Sequence, residues 1–197
     1  MRLLGLDPGL RHTGWGIINS IDDKISWIAC GNISPKISLN LSERLKEIHQ
    51  GLDFIIQKYK PSVAAIEEIF INMNGQSTLK LGMARGAAIT ICSVNEMPVF
   101  EYAPTRVKQS VTGSGRAKKD QVASMVKLLL PGCAITTEDE SDALAIAICH
   151  TIFANSKIPE FFFTEVFRIT GFRSESPIKS STASNNWFVP LRSLLFT

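Results

Sequence analysis

Cysteine, histidine and long apolar runs are all sparse in this chain, and each shortage closes off a class of protein. The 197 residues include four cysteines, Cys30, Cys92, Cys133 and Cys149, scattered without CxxC spacing. A disulfide framework or a zinc site needs closer-set partners, so these read as small apolar residues buried in a reduced cytoplasm. The three histidines, His12, His49 and His150, show no paired ligand spacing and read as structural. The longest apolar stretch, Ala143 to Ala154, carries His150 and is too short to span a bilayer. Arg2 precedes only a short apolar run that Asp7 interrupts, which is not a signal peptide. Net charge is scarce too: +3 overall, with 16 basic and 15 acidic residues between 1 and 155. Where the charges lie therefore says more than their total.

What is present is enough apolar material, 45% of residues, for one good-sized core. Strands are expected at 2–7, 13–19, 25–33, 62–67 and 98–102. The second and third alternate apolar and polar residues, as hairpin neighbours do. Leu41, Leu45, Ile48, Leu52, Ile55 and Ile56 recur at helical spacing behind a capping box of Asn40 and Glu43. Further helices are expected at 77–95, from Pro104, at 118–130 up to Pro131 and Gly132, and at 139–153. The pattern is α/β, with a mixed sheet and helices on both faces. One domain spans 1–155. The tail, 156–197, contains a polar low-complexity stretch, 174–186, expected to be a flexible linker between apolar clusters at Phe161–Phe163 and Trp187–Phe196.

Four carboxylates fall where such a fold would gather them. Leu3 to Leu6 is a strand-like run, and Asp7 ends it where Pro8 and Gly9 turn the chain. Val63 to Ile66 delivers Glu67 at the same kind of position, where open α/β sheets place their sites. Glu68 follows directly; because strand side chains alternate, only one of the two can face Asp7. Asp139 and Asp142, three apart, share one face of a helix's first turn, at the positive end of its dipole. Taken singly, these acids are ordinary turn, cap and dipole residues. Together they repel, by roughly 4 kcal/mol for a pair about 4 Å apart at an effective dielectric near 20, and so call for cations. Hard oxygen donors favour Mg²⁺ or Mn²⁺, and two such ions would balance four charges and serve phosphodiester hydrolysis.

A second cluster has the opposite sign. Arg106, Lys108, Arg116, Lys118 and Lys119 lie in a stretch with no acid between Glu101 and Asp120, interrupted by Gly113, Ser114 and Gly115. A solvated basic face and a phosphate-binding surface are both consistent with it. The helix carrying Gly82, Ala84, Gly86, Ala87 and Ala88 is rich in small side chains. It must approach another backbone closely, within the fold or across a dimer.

The segments GLDPGLRHTGWG (5–16), AIEEIF (65–70), LKLGMARG (79–86), PVFEYAPTRVKQSVTG (98–113) and DESDALAIAICH (139–150) together resemble the RuvC-type crossover junction endodeoxyribonucleases of bacteria. The resemblance covers about residues 1–155, in order and with family-like spacing. It implies a ribonuclease-H-like fold with a five-stranded sheet, a homodimer built on the small-residue helix, and Mg²⁺-dependent symmetric nicking of a Holliday junction. It also implies a branch-migration helicase complex of the RuvA and RuvB type as partner. By motif position Asp7, Glu67, Asp139 and Asp142 match the catalytic, metal-holding acids, which selects Glu67 over Glu68. Some members carry a histidine near the last pair, where this helix begins Glu138, Asp139, Glu140. Lys108 and Lys119 match DNA contacts, with Arg116 and Lys118 beside them. Phe70 matches an aromatic in a mobile loop, here followed by Asn72, Asn74, Gly75 and Gln76, that can stack on an unpaired base.

Two other classes share parts of this pattern. Asp7, Gly9, Thr13 and Gly14 also suit the phosphate hairpin of actin-like ATPases, which need a second such domain that this length does not supply. A non-catalytic junction-binding protein would not need all four acids. A nuclease acting on RNA shares the fold.

Overall fold

The computed structural model of the chain describes residues 1–22, 24–69 and 75–155. Phe70, Asn72 and Asn74, and the whole tail 156–197, lie outside the described residues. β1 (Arg2–Asp7) pairs antiparallel with β2 (Thr13–Ile21), which pairs antiparallel with β3 (Lys24–Ile33). After α1 (Leu41–Tyr59), β4 (Val63–Glu67) lies parallel to β1 on its other side. α2 (Gly75–Val94) leads to β5 (Val99–Tyr102), parallel to β4. α3 (Pro104–Thr112), α4 (Lys119–Leu129) and α5 (Glu138–Asn155) follow. The result is the expected mixed sheet of five strands, ordered β3-β2-β1-β4-β5.

Side-chain alternation divides the core in two. Leu3, Val63 and Ala65 pack with Val107, Val111, Val122, Val126 and Leu144, so α3, α4 and α5 cover one face. Leu4, Leu6, Ala64 and Ile66 pack with Ile48, Leu52, Ile55, Ala84, Ala88 and Ile91, so α1 and α2 cover the other. Asp7 and Glu67 are in step with the first set. Their side chains therefore emerge on the α5 side of the sheet.

α1 starts as its sequence indicates: the Glu43 N–H donates to Asn40 Oδ1 at 3.0 Å and the Asn40 N–H donates back to Glu43 at 3.0 Å. β3 departs from strict alternation. Ile17 stands opposite Ala29 but Ile18 opposite Trp27, so Ile28 is an extra residue that bulges the strand.

The seat of α5 is made of glycine. Gly5 stands opposite Gly16, and Gly14 opposite Asp7, across the β1–β2 ladder. A methyl group on Gly5 would lie 2.0 Å from the Ala143 carbonyl oxygen, and one on Gly14 would lie 2.2 Å from the Asp139 carbonyl oxygen. On Gly16 it would press on the Leu144 side chain at 2.6 Å. Bare backbone on two strands thus lets the first turns of α5 lie directly on the sheet.

The small residues of α2 split between two uses. Ala84 and Ala88 are fully buried against the sheet. Gly82 and Gly86 face outward, where an added methyl would meet nothing within 4 Å, beside Leu79 at 60% exposure. All four cysteines are free, with Cys92 and Cys149 buried but Cys30 and Cys133 only half-buried. Exposed edges of β3 and of the loop before α5 leave the latter pair short of the full burial their sequence suggested. Among the described residues no helix is long and apolar enough to cross a membrane.

Candidate active site

Each acid reaches the site through a different local device. Asp7 is the last residue of β1, and the turn after it is clamped: the Thr13 hydroxyl, fully buried, donates to the Gly9 carbonyl at 2.8 Å and accepts from the Gly9 N–H at 3.3 Å. Glu67 is the last residue of β4, directed by alternation to the α5 side. Glu68 points elsewhere, into a separate cleft with Glu101, Thr105, Arg106 and Gln109.

Asp139 and Asp142 owe their position to a helix start that the sequence reading passed over. The buried Glu140 side chain accepts from the Thr136 N–H at 2.7 Å, and the Glu140 N–H donates to the Thr137 hydroxyl at 3.3 Å. Asn32 of β3 donates to the same hydroxyl at 2.6 Å. Thr137 and Glu140 therefore cap α5 and tie its first turn to the sheet. The Thr-x-x-Glu spacing was visible in the chain.

Asp7, Glu67 and Asp142 line one cleft of about 290 Å³ with Pro104, Val107, Lys108, Lys119, Val122 and Ala145. Asp139 is not part of its lining, but its charge is felt by both Asp7 and Asp142. Lys119 Nζ lies 3.3 Å from Asp142 Oδ2 and 3.3 Å from Glu138 Oε2. Lys108 and Lys119 thus belong to the cleft, whereas Arg116 and Lys118 lie exposed on the loop before α4. Arg106 does not enter the cleft; its guanidinium stacks over Phe153 at 4.8 Å. Two of the three histidines hold side-chain hydrogen bonds, His12 Nδ1 to Ser34 Oγ at 2.9 Å and buried His150 Nδ1 to the Tyr102 hydroxyl at 2.8 Å, while His49 lies exposed on α1.

The electrostatics of the cleft are strained in one direction. Burial, then the charges of Asp142 and Asp139, push the Asp7 carboxyl up to about 6, against the pull of Lys119. Burial, then Asp7 and Asp142, push Glu67 up to about 7, against Lys108 and Lys119. Burial also raises Asp142, although the adjacent Lys119 opposes it. Among the described residues no three carboxylate, imidazole or thiol groups converge at metal-coordinating distance. The donor chemistry nevertheless suits a hard cation: carboxylate oxygens of three elements face one small cleft, and burial, then their mutual repulsion, raise Asp7 and Glu67 above the usual carboxylate range.

A pH dependence follows. Carboxyls whose folded values are raised hold protons that the unfolded chain has already released, so the metal-free fold loses stability as pH climbs from about 4 through 7. A divalent cation competes with those protons and binds more tightly above that window. Thermal melts should show Mg²⁺ raising the melting temperature more at pH 8 than at pH 5. An equal rise at both would place cation binding elsewhere.

Comparison with known proteins adds independent support. Residues 3–150 match the family model for the crossover junction endodeoxyribonuclease RuvC. The crossover junction endodeoxyribonuclease RuvC of Paramagnetospirillum magneticum is 55% identical over 150 residues, which is 76% of this chain and 90% of that protein. The RuvC of Afipia carboxidovorans is 48% identical over 76% of this chain and 88% of its own. The structure of Thermus thermophilus RuvC in complex with a Holliday junction substrate superimposes with a TM-score of 0.73 at 31% identity, covering 78% of this chain and 94% of that one.

Proposed function

The chain belongs to the RuvC family of crossover junction endodeoxyribonucleases, and on that premise we propose that it resolves Holliday junctions in recombination and repair by metal-assisted hydrolysis, nicking two strands symmetrically and leaving 5′-phosphate and 3′-hydroxyl ends. The observation that carries this reading is the single cleft in which Asp7, Glu67 and Asp142 meet Lys108 and Lys119. Phosphodiester hydrolysis needs both sets: lysine ammonium groups for the phosphate oxygens, and carboxylates for the metal. Metal-assisted hydrolysis of this kind takes water as the nucleophile and proceeds without a covalent intermediate.

Asp7, Glu67, Asp139 and Asp142 would hold the metal, two Mg²⁺ ions per site with Mn²⁺ as substitute. Bound there, such ions supply an activated water and charge stabilisation at the leaving 3′ oxygen. The protein's own side chains do the rest. Lys108 on α3 and Lys119 at the start of α4 flank the cleft and orient the scissile phosphate, Lys119 exchanging its pairing with Asp142 and Glu138 for the phosphate oxygens. Arg116 and Lys118 extend the DNA contact beyond the cleft through backbone phosphates, and Phe70 contributes by stacking on a base. Residues 1–155 make up the nuclease domain. A cytoplasmic location and a RuvA and RuvB type branch-migration complex complete the assignment.

Lys108→Ala and Lys119→Ala test the phosphate contacts. Each should weaken junction binding and flatten its salt dependence by about 0.9 in log–log slope per lost contact. Gel shifts across a salt series in Ca²⁺ measure both. An unchanged slope would remove that lysine from the DNA surface.

The two-fold symmetry of a junction calls for two sites. A homodimer formed through the outward Gly82 and Gly86 face of α2 supplies them. Gly86→Leu places a bulky side chain there without touching the monomer core, where an added methyl has no neighbour within 4 Å. Sedimentation should show the dimer weakened. A dimer of parent strength would assign the interface to another surface.

A further inference from the structure

Glu67 is aimed by its backbone, and that backbone is held from an unexpected direction. The β1–β4 pairing ends at Leu6 opposite Ile66, one residue before Glu67. On the other side the ladder continues, with the Glu68 N–H donating to the Tyr102 carbonyl at 2.9 Å. The Glu67 carbonyl thus lies past the last β1 partner. Arg85 of α2 takes it, its Nε donating at 3.1 Å across 18 residues of sequence. The same guanidinium ion-pairs through its terminal nitrogen with Glu101 of β5. Its side chain is 16% exposed, so the contact is a sheltered one.

We propose that Arg85 is a positioning residue for Glu67: by bridging the Glu67 carbonyl and the Glu101 carboxylate it fixes the end of β4, and so which way the Glu67 side chain leaves the strand. The consequence of losing it is specific, because the next residue is also a glutamate. Glu67 faces the catalytic cleft and Glu68 the neighbouring one. Rotation at the strand end would withdraw the first carboxylate from the cleft without bringing any substitute to the same place. A planar fork donates to a carbonyl on β4 and a carboxylate on β5 from two nitrogens held in one fixed geometry; a lysine, with a single nitrogen on a flexible stem, holds such a bridge less rigidly. Glu101 in turn holds the fork's orientation, so its amide variant weakens the bridge while leaving the carbonyl contact.

This inference rests on Glu67 being a metal-holding acid, and the test separates the two. Arg85→Gln, Arg85→Lys, Glu101→Gln and Glu67→Gln are compared for junction affinity in Ca²⁺, for the Mg²⁺ concentration giving half-maximal cutting, and for the melting-temperature rise caused by Mg²⁺ without DNA. Partners that orient a metal's ligands commonly change metal affinity by about 10- to 100-fold. Arg85→Gln should raise the Mg²⁺ requirement by about tenfold and shrink the Mg²⁺-induced stabilisation, with junction affinity unchanged. Arg85→Lys and Glu101→Gln should fall between it and the parent. A purely structural arginine would lower the melting temperature of the metal-free protein but leave the Mg²⁺ requirement of the folded fraction as it was, and that result overturns the proposal. Should Arg85→Gln fail to fold, a parent-like Mg²⁺ requirement in both Arg85→Lys and Glu101→Gln overturns it equally. If Glu67→Gln itself cuts normally, the fault lies with the assignment of Glu67.

Discussion

Asp7→Asn, Glu67→Gln and Asp142→Asn should each reduce junction cutting by roughly 1,000-fold, equivalent to about 4 kcal/mol of transition-state stabilisation, while leaving junction binding intact or tighter. The amide keeps the volume and one oxygen but loses the charge that attracts a cation. DNA, a polyanion, is repelled by the same charge, so its removal cannot weaken the encounter through electrostatics. The metal-free protein should also melt at a higher temperature at pH 8 in the Asp7 and Glu67 variants. Burial and like charges hold these two carboxyls at about 6 and about 7, so ionising them opposes folding and an amide abolishes that opposition. Binding and stability that rise as catalysis collapses mark a site built for reaction at the expense of the fold. A variant that lost binding and cutting in parallel would instead have lost its structure.

Gly14→Ala should be nearly as damaging although it adds one methyl group and changes no charge. That methyl would stand 2.2 Å from the Asp139 carbonyl oxygen and 2.9 Å from the Asp139 Cβ, and backbone atoms cannot rotate out of the way. The first turn of α5 must move off β2, carrying Asp139 and Asp142 with it. Overpacking of this kind costs about 1–3 kcal/mol in stability. A shift of about 1 Å at a catalytic group costs about 100-fold in rate. Circular dichroism melts beside single-turnover cleavage on the junction measure the two losses together. Cutting at the parent rate would show that α5 can be seated without the bare strand beneath it.

The acids were legible in the sequence because each is a local event: an apolar run that stops at a carboxylate, or two acids three apart in a helix's first turn. Alternation separated Glu67 from Glu68, and the two line different clefts. The glycine seat was not legible, because Gly5, Gly14 and Gly16 become one surface only once the β1–β2 register sets them side by side. Arg85 was hidden for the same reason. Nothing in LKLGMARG says that its arginine reaches back 18 residues to a strand end. The small residues of α2 were read as a single feature, and the fold gives them two uses, Ala84 and Ala88 inward and Gly82 and Gly86 outward. The Thr137 and Glu140 cap is as local a pattern as the one at Asn40 and Glu43 and is equally present in the chain. Phe70 and residues 156–197 stand outside the described residues.

The most direct test uses a four-way junction with each strand end-labelled in turn, incubated in Mg²⁺ beside a linear duplex and an RNA–DNA hybrid of the same sequence. The parent protein should cut two opposed strands of the junction at matching positions, leave ligatable 5′-phosphate and 3′-hydroxyl ends, and spare both linear substrates, while Asp7→Asn binds the junction and leaves it whole. Cutting of the hybrid in preference to the junction, or cutting by Asp7→Asn at the parent rate, would contradict the account.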